Sequence, residues 1–387
     1  MPRSSLSRRG FLTAMSLSAP LLSSRLAPGT ASVASLLMFG CAPSAPKVAS
    51  VPEAPAGLHL SPLSDLAPAG GLRWIVLARA GELVQPAALG RPLAEILAVE
   101  RLEALAELLG FDARLADDVV VADYGTSTLF LFRVAHDPEI VERRFRERIP
   151  GEIVRVVHEP RIVRVTGAVG RSVRSLVLLD GHVVALEIGG ESYARAAVGF
   201  AREKLRRAKP ALETEPLASL VRGLREHADP PLLLLAPNPA ADPWTKGAHG
   251  LLQVTTAVGM AATPKDGALS VELRATGQYG DSLEPVRERL EATVKDLVTS
   301  PLGSLTGLRE PLSDYAYEVG PERLQVRCTW DALRLAGGLR AATAASLAEI
   351  FRKLPRSAQL PSGGVEEGVF PPGDPDERRL DVPANPR

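Results

Sequence analysis

Ser282 is the side chain whose surroundings first suggest chemistry. It follows Gly280 and Asp281 and precedes Leu283. A serine hydroxyl becomes an acyl-transfer nucleophile when a nearby histidine takes its proton. The six histidines, His59, His136, His158, His182, His227 and His249, all precede Ser282, and none has a second histidine at ligand spacing. His136-Asp137 is a pair of the kind that can hold a metal for phosphate-ester hydrolysis. Asp137 followed by Pro138 is better read as a helix N-cap with proline in the favoured first turn. A zinc site needs three or four converging ligands, and the sequence contains no His-Glu-x-x-His pair, phosphate loop or dinucleotide fingerprint. No catalytic residue, cofactor-binding residue or metal ligand is therefore assigned, and no cofactor is expected. Cys328 lies in the alternating run 324–330 and reads as a small core residue. Arg143, Arg144, Arg146 and Arg148, and then Arg202, Lys204, Arg206 and Arg207, are interleaved with glutamates. They read as solvated helix faces with local ion pairs, or alternatively as contacts for an anionic partner.

The block Gly280-Asp281-Ser282-Leu283 resembles the nucleophile block of GDSL-type esterases, in which the serine attacks an acyl carbon. The resemblance covers four residues. In that family the block opens the domain after an apolar strand, and its Asp and His partners come near the end. Here it follows the polar stretch 276–279, late in the chain, and no histidine follows it. The competing reading makes Asp281 the N-cap of a helix over 281–299, with Glu284 three residues later completing a capping box.

The N-terminus carries a different message. Arg8-Arg9-Gly10-Phe11-Leu12 resembles a twin-arginine export motif, and an uncharged apolar stretch runs from it to Leu22. Leu37-Met38-Phe39-Gly40-Cys41 resembles a lipoprotein cleavage box. Together they make the chain similar to exported bacterial lipoproteins. The resemblance implies that residues 1–40 are an export signal, that Cys41 carries lipid, and that the membrane is a partner through this anchor. The alternative is cleavage after Ser32-Val33-Ala34 and a soluble secreted protein. A start at Met15 would instead make Arg25 the basic region of a shorter signal. No later segment has the roughly 20 apolar residues needed to span a bilayer. The 45 basic and 45 acidic residues cancel, so no net field attracts nucleic acid, and aromatics at 4% offer no stacking platform. Trp74, Trp244 and Trp330 read as core or interface packing.

Residues 41–70 are rich in Pro and Ala and read as a tether, and 355–387 as a disordered tail. Between them helical and strand periods alternate. Strands are expected over 73–79, 118–123 and 128–134, near 153, 162, 173 and 183, and over 231–236, 251–262, 268–276, 315–319 and 324–330. Helices are expected from Pro92, after Asp137-Pro138, over 191–208, from Pro216, over 281–299 and from 331. Asp180-Gly181 marks a hairpin, because the turn needs positive φ. The pattern predicts an α+β fold with largely antiparallel sheets and packed helices, in two pseudo-repeated halves, 71–210 and 211–354. The expected function is a non-catalytic, lipid-anchored cell-envelope protein with a binding or assembly role and an envelope protein partner. The alternative is an envelope hydrolase with dispersed catalytic residues.

Overall fold

The computed structural model describes residues 57–340, apart from 86–88, 97–98, 160, 204–207, 227, 240–247, 266–267, 301–302, 305–306, 309–311, 313–314 and 339. The export motif (Arg8, Arg9, Phe11, Leu12), Cys41 and the tail lie outside the described residues.

Twelve strands form the frame: β1 Trp74–Ala78, β2 Asp118–Asp123, β3 Thr128–Arg133, β4 Ile153–Glu159, β5 Ile162–Val169, β6 Ser172–Leu179, β7 Val183–Ile188, β8 Leu232–Pro237, β9 Thr255–Lys265, β10 Ala268–Gly277, β11 Ala316–Val319 and β12 Arg323–Asp331. The helices are α1 Ala80–Leu83, α2 Arg91–Ile96, α3 Val99–Leu109, α4 Pro138–Arg146, α5 Ser192–Ala201, α6 Leu217–Leu224, α7 Glu284–Thr299 and α8 at 332–338. Local chemistry sets several boundaries. Asp180 and Gly181 take φ values of 55° and 67° in the β6–β7 turn, which the His182 N–H closes by donating to the Leu179 carbonyl at 3.2 Å, and such paired positive angles favour Asp-Gly. Asp137 caps α4, its Oδ1 accepting the Glu139 N–H at 2.9 Å, and Pro138 sits in the first turn.

The strands do not sort into separate sheets in two repeated halves. They form one sheet in the order β11-β12-β10-β9-β8-β1-β2-β3-β7-β6-β5-β4, with every pairing antiparallel. Strands dominate the architecture. The seam that corrects the expectation is β1 against β8, where Val76 pairs with Leu234 and Ile75 with Leu235. Each would otherwise be an open edge, and joining them satisfies both rows of backbone groups. Alternation along the sequence identifies strands, but not which edge finds which. The seam also divides the strands unequally, seven on one side and five on the other.

The largest core lies on one face, under α5 and α6. Leu217, Leu220, Val221 and Leu224 recur at the spacing of a single helical stripe, and all four are buried. They meet Leu233 and Leu235 of β8 and Ala257 and Ala261 of β9. Gly259 permits this approach, since a Cβ there would come within 2.9 Å of side-chain carbons from Leu220, Leu224 and Leu235. Further along the same face, Ala194, Ala197, Val198 and Ala201 of α5 pack over Val177, Leu179 and Ala185. Leu63, Leu66 and Ala67, within the stretch expected as tether, join this core.

The opposite face is covered in separate patches. Val141 and Phe145 of α4 and Ile149 after it, with Phe111, cover Phe132, Val165, Leu176, Leu178 and Val184. Val286 and Leu290 of α7, with Leu251, cover Ala275, Leu324 and Val326. Leu83, Leu89 and Ala332 cover Leu269 and Val271, with Met260, Cys328 and Trp330 against them.

Candidate functional site

Among the described residues of β1, β2 and β8, the side chains of Trp74, Val76, Val121, Leu234 and Ala236 belong to none of these packed clusters, and of these Ala236 is buried. The register explains how the other four meet. Val76 is opposite Val121 on one side and Leu234 on the other, so the three form one row on one face. Trp74 is two residues before Val76 and therefore on the same face. Neighbouring β8 positions show the contrast: Leu233, facing α6, is 1% exposed, whereas Leu234 is 37% exposed. Polar groups bound the strip. Asp123, opposite Trp74, accepts hydrogen bonds from Thr128 Oγ1 and the Gly125 N–H, each at 3.2 Å. On the other side Met260 is opposite Leu234 and packs toward Leu83 and Leu89. Such a strip can do one thing chemically. It can bury an apolar surface, gaining about 25 cal/mol per Å2 removed from water.

The residues weighed for catalysis are placed elsewhere. α7 begins at Glu284, with Pro285 in its first turn, and Leu283 is the N-cap position without a side-chain cap bond. Asp281 is therefore not the N-cap expected from the sequence. Proline's fixed φ suits the first helical turn, and this signal sets the start three residues later. Asp281 and Ser282 are exposed in the turn after Gly280, whose φ is +80°. Asp281→Ala and Ser282→Ala are each expected to leave unfolding free energy within about 0.5 kcal/mol of the parent. Thermal melts of both variants check this, and labelling of Ser282 by a fluorophosphonate would contradict it.

His136 is half-buried, with Nδ1 2.9 Å from the Val134 carbonyl and Nε2 buried without a partner, and burial pushes its pKa down. It supports the end of β3 rather than meeting a metal with Asp137, which caps α4. Cys328 packs among Leu269, Val271 and Trp330, and burial pushes its thiol pKa up, away from the reactive thiolate. Two histidines meet carboxylates, His249 with Asp296 at 3.0 Å and His59 with Glu203 at 3.2 Å, both on the surface. Among the described residues no serine or cysteine hydrogen-bonds to either histidine, and no group of three or more His, Cys, Asp or Glu is placed to hold a metal.

A cleft of about 230 Å3 opens beside the ends of β1, β2 and β8. Each charged residue of its lining is in an ion pair. Asp229 meets Arg225 at 3.0 Å and Arg79 at 3.4 Å, and Asp118 meets Arg133 at 3.0 Å. The arginines of α4 behave as the sequence suggested: Arg144 pairs with Glu147 at 3.2 Å and Arg146 with Glu142 at 3.5 Å. Arg202 is half-buried at the end of α5, and most of the second basic cluster, 204–207, lies outside the described residues.

One buried charge escaped the sequence reading. Glu187 of β7 is fully buried, and its Oε2 accepts the N–H groups of Tyr193 and Ala194 at 2.9 and 2.8 Å, at the start of α5. Beside it the rings of Tyr124 and Tyr193 stack with centroids 3.5 Å apart. The available signal was spacing: Val183, Ala185 and Glu187 alternate onto one face, and the first two are core residues.

No helix of the described residues is long and apolar enough to cross a membrane. No family model matches the sequence, and no curated protein matches it. Among solved structures, the chain is similar to crystal form I of TP0453, with a TM-score of 0.45 and 12% identity over 74% of this chain and 99% of that one. Crystal form III of TP0453 gives a TM-score of 0.44 and 12% identity over 73% and 99%.

Proposed function

We propose that the protein is a non-catalytic cell-envelope protein, held to the membrane by lipid on Cys41, that binds the apolar face of an envelope protein partner with the strip Trp74, Val76, Val121 and Leu234. The observation that supports this reading most is the exposure of Leu234 in the middle of a sheet whose flanking strands are covered by helices on the same face. Leu234 is exposed and Trp74, Val76 and Val121 are half-buried, and an apolar row that is not fully covered is the kind of surface that can mark an interaction site. The Pro- and Ala-rich residues after Cys41 supply a tether that lets an anchored domain reach its partner.

The neutral dye N-phenyl-1-naphthylamine is the probe for the strip. The parent protein is expected to bind it and enhance its fluorescence. Leu234→Asp places a charge in the row and is expected to weaken binding at least tenfold, about 1.4 kcal/mol, with the melting temperature nearly unchanged. Equal binding by both proteins rejects the strip as the site. The anchor is tested separately, by growing cells with a radioactive fatty acid. Label is expected on the parent and absent from Cys41→Ala, and equal label on both rejects Cys41.

A further inference from the structure

We propose that Arg148 and Arg174 form a binding site for a phosphate group, held between two guanidinium groups that have no carboxylate of their own.

The topology brings the two together. Arg174 of β6 stands on the face covered by α4, two residues before Leu176 and four before Leu178 of that packed cluster. Its register partners are Gly167 of β5 and Ile188 of β7. Ile149 closes on Gly167, where a Cβ would come within 2.5 Å of Ile149 Cγ2. The residue before Ile149 is Arg148, which is thereby set down beside Arg174 just after the end of α4. Both arginines are half-buried. Ile188, on the other side of Arg174, is 37% exposed, so the pair is open to solvent there.

The pair is set apart by its lack of counter-charge. Other arginines around α4 each find a glutamate. Arg143 and Arg144 share Glu147, at 4.0 and 3.2 Å, and Arg144 also meets Glu107 at 3.8 Å. Arg146 and Arg155 share Glu142, at 3.5 and 2.8 Å. Among the described residues no carboxylate forms an ion pair with Arg148 or Arg174. Arg148 donates its Nε–H to the Arg144 carbonyl at 3.0 Å. Arg174 has less, since its Nε is buried and makes no hydrogen bond. Buried donors are rarely left unmatched. Burial, and then the charge of Arg174, push the Arg148 guanidinium pKa down. Two like charges in a partly dried setting repel each other, and an anion between them reverses the sign of the interaction.

Phosphate fits this demand. It carries up to about two negative charges at neutral pH, one for each guanidinium, and its oxygens match the planar donor fork of arginine. Inorganic phosphate and an alkyl phosphate share this chemistry, and Ile188 lies where an alkyl substituent would rest. The site does not depend on the apolar strip of β1, β2 and β8.

Inorganic phosphate and hexyl phosphate are the probes, titrated into the purified protein by calorimetry at an ionic strength held constant with sodium chloride. The parent is expected to bind at least one of them with a Kd of about 1 mM or tighter. Arg174→Gln and Arg148→Gln are each expected to weaken binding at least about tenfold. The bound probe at about 10 mM is expected to raise the parent's melting temperature by roughly 3–5 °C and to leave both variants nearly unchanged. Without phosphate, Arg174→Gln is expected to melt at least as high as the parent, because the repulsion is relieved, so its loss of binding is not a loss of folding. Hexyl phosphate bound about tenfold more tightly than inorganic phosphate assigns the site to an ester carrying an apolar group, and equal or weaker binding assigns it to free phosphate. No saturable binding of either probe, equal binding by the parent and both variants, or an Arg174→Gln variant that melts below the parent overturns the proposal.

Discussion

Leu233→Ala is expected to lower the unfolding free energy by about 2–5 kcal/mol, whereas Leu234→Ala, at the next residue, is expected to cost less than about 1 kcal/mol. Leu233 is 1% exposed and faces Leu220 and Leu224 of α6 across the main core. Removing its three carbons leaves a cavity that Gly259 cannot help to fill, because α6 already rests against that glycine. Leu234 points to the other face, where only Val76 and Met260 flank it in register. The difference should appear as a melting temperature lower by roughly 5–15 °C for the first variant and nearly unchanged for the second. Equal losses for both would mean that Leu234 is a core residue, and the strip would then be part of the packing that holds the sheet together.

Glu187→Ala is expected to cost about 2–4 kcal/mol. The substitution removes the acceptor of one buried and one half-buried N–H group, and a buried donor left without a partner costs about 1–3 kcal/mol. It also opens space between β7 and the first turn of α5. Chemical denaturation of the alanine and glutamine variants beside the parent separates these effects. Glutamine keeps an acceptor and the volume, so alanine should be the worse of the two by at least about 2 kcal/mol. An alanine variant as stable as the parent would show that Glu187 does not hold α5 in place.

The contrast between these residues explains what could be read from the chain. The Asp180-Gly181 turn and the helix starts at Asp137-Pro138 and Pro216 were legible because each depends on local chemistry: positive φ, a capping carboxylate, a proline at the start of a helix. Asp281 misled because two start signals lie four residues apart and the proline at 285 prevailed. The open strip was hidden for another reason. Residues 74–78 and 232–236 are apolar at every position, which gives no alternation and reads as burial on both faces. Only the register and the helix cover show that, among the described residues, the β1–β8 seam is packed under helices on one side and partly covered on the other. Glu187 was hidden because a charge in a strand reads as solvent-facing, while its neighbours two and four residues back are core. The single sheet was beyond local reading, since the joining of β1 to β8 links residues more than 150 positions apart.

The claim that the strip is a binding surface is tested most directly by energy transfer from Trp74 to bound N-phenyl-1-naphthylamine. Trp74 stands in the row's face, and Trp330 packs with Leu269 and Val271 under separate cover. A Trp330→Phe, Trp244→Phe background leaves Trp74 as the donor. The account predicts that Trp74 emission is quenched in step with dye binding and that Leu234→Asp abolishes both. Dye that binds with unchanged affinity while Trp74 emission stays constant would place the apolar site elsewhere and contradict it.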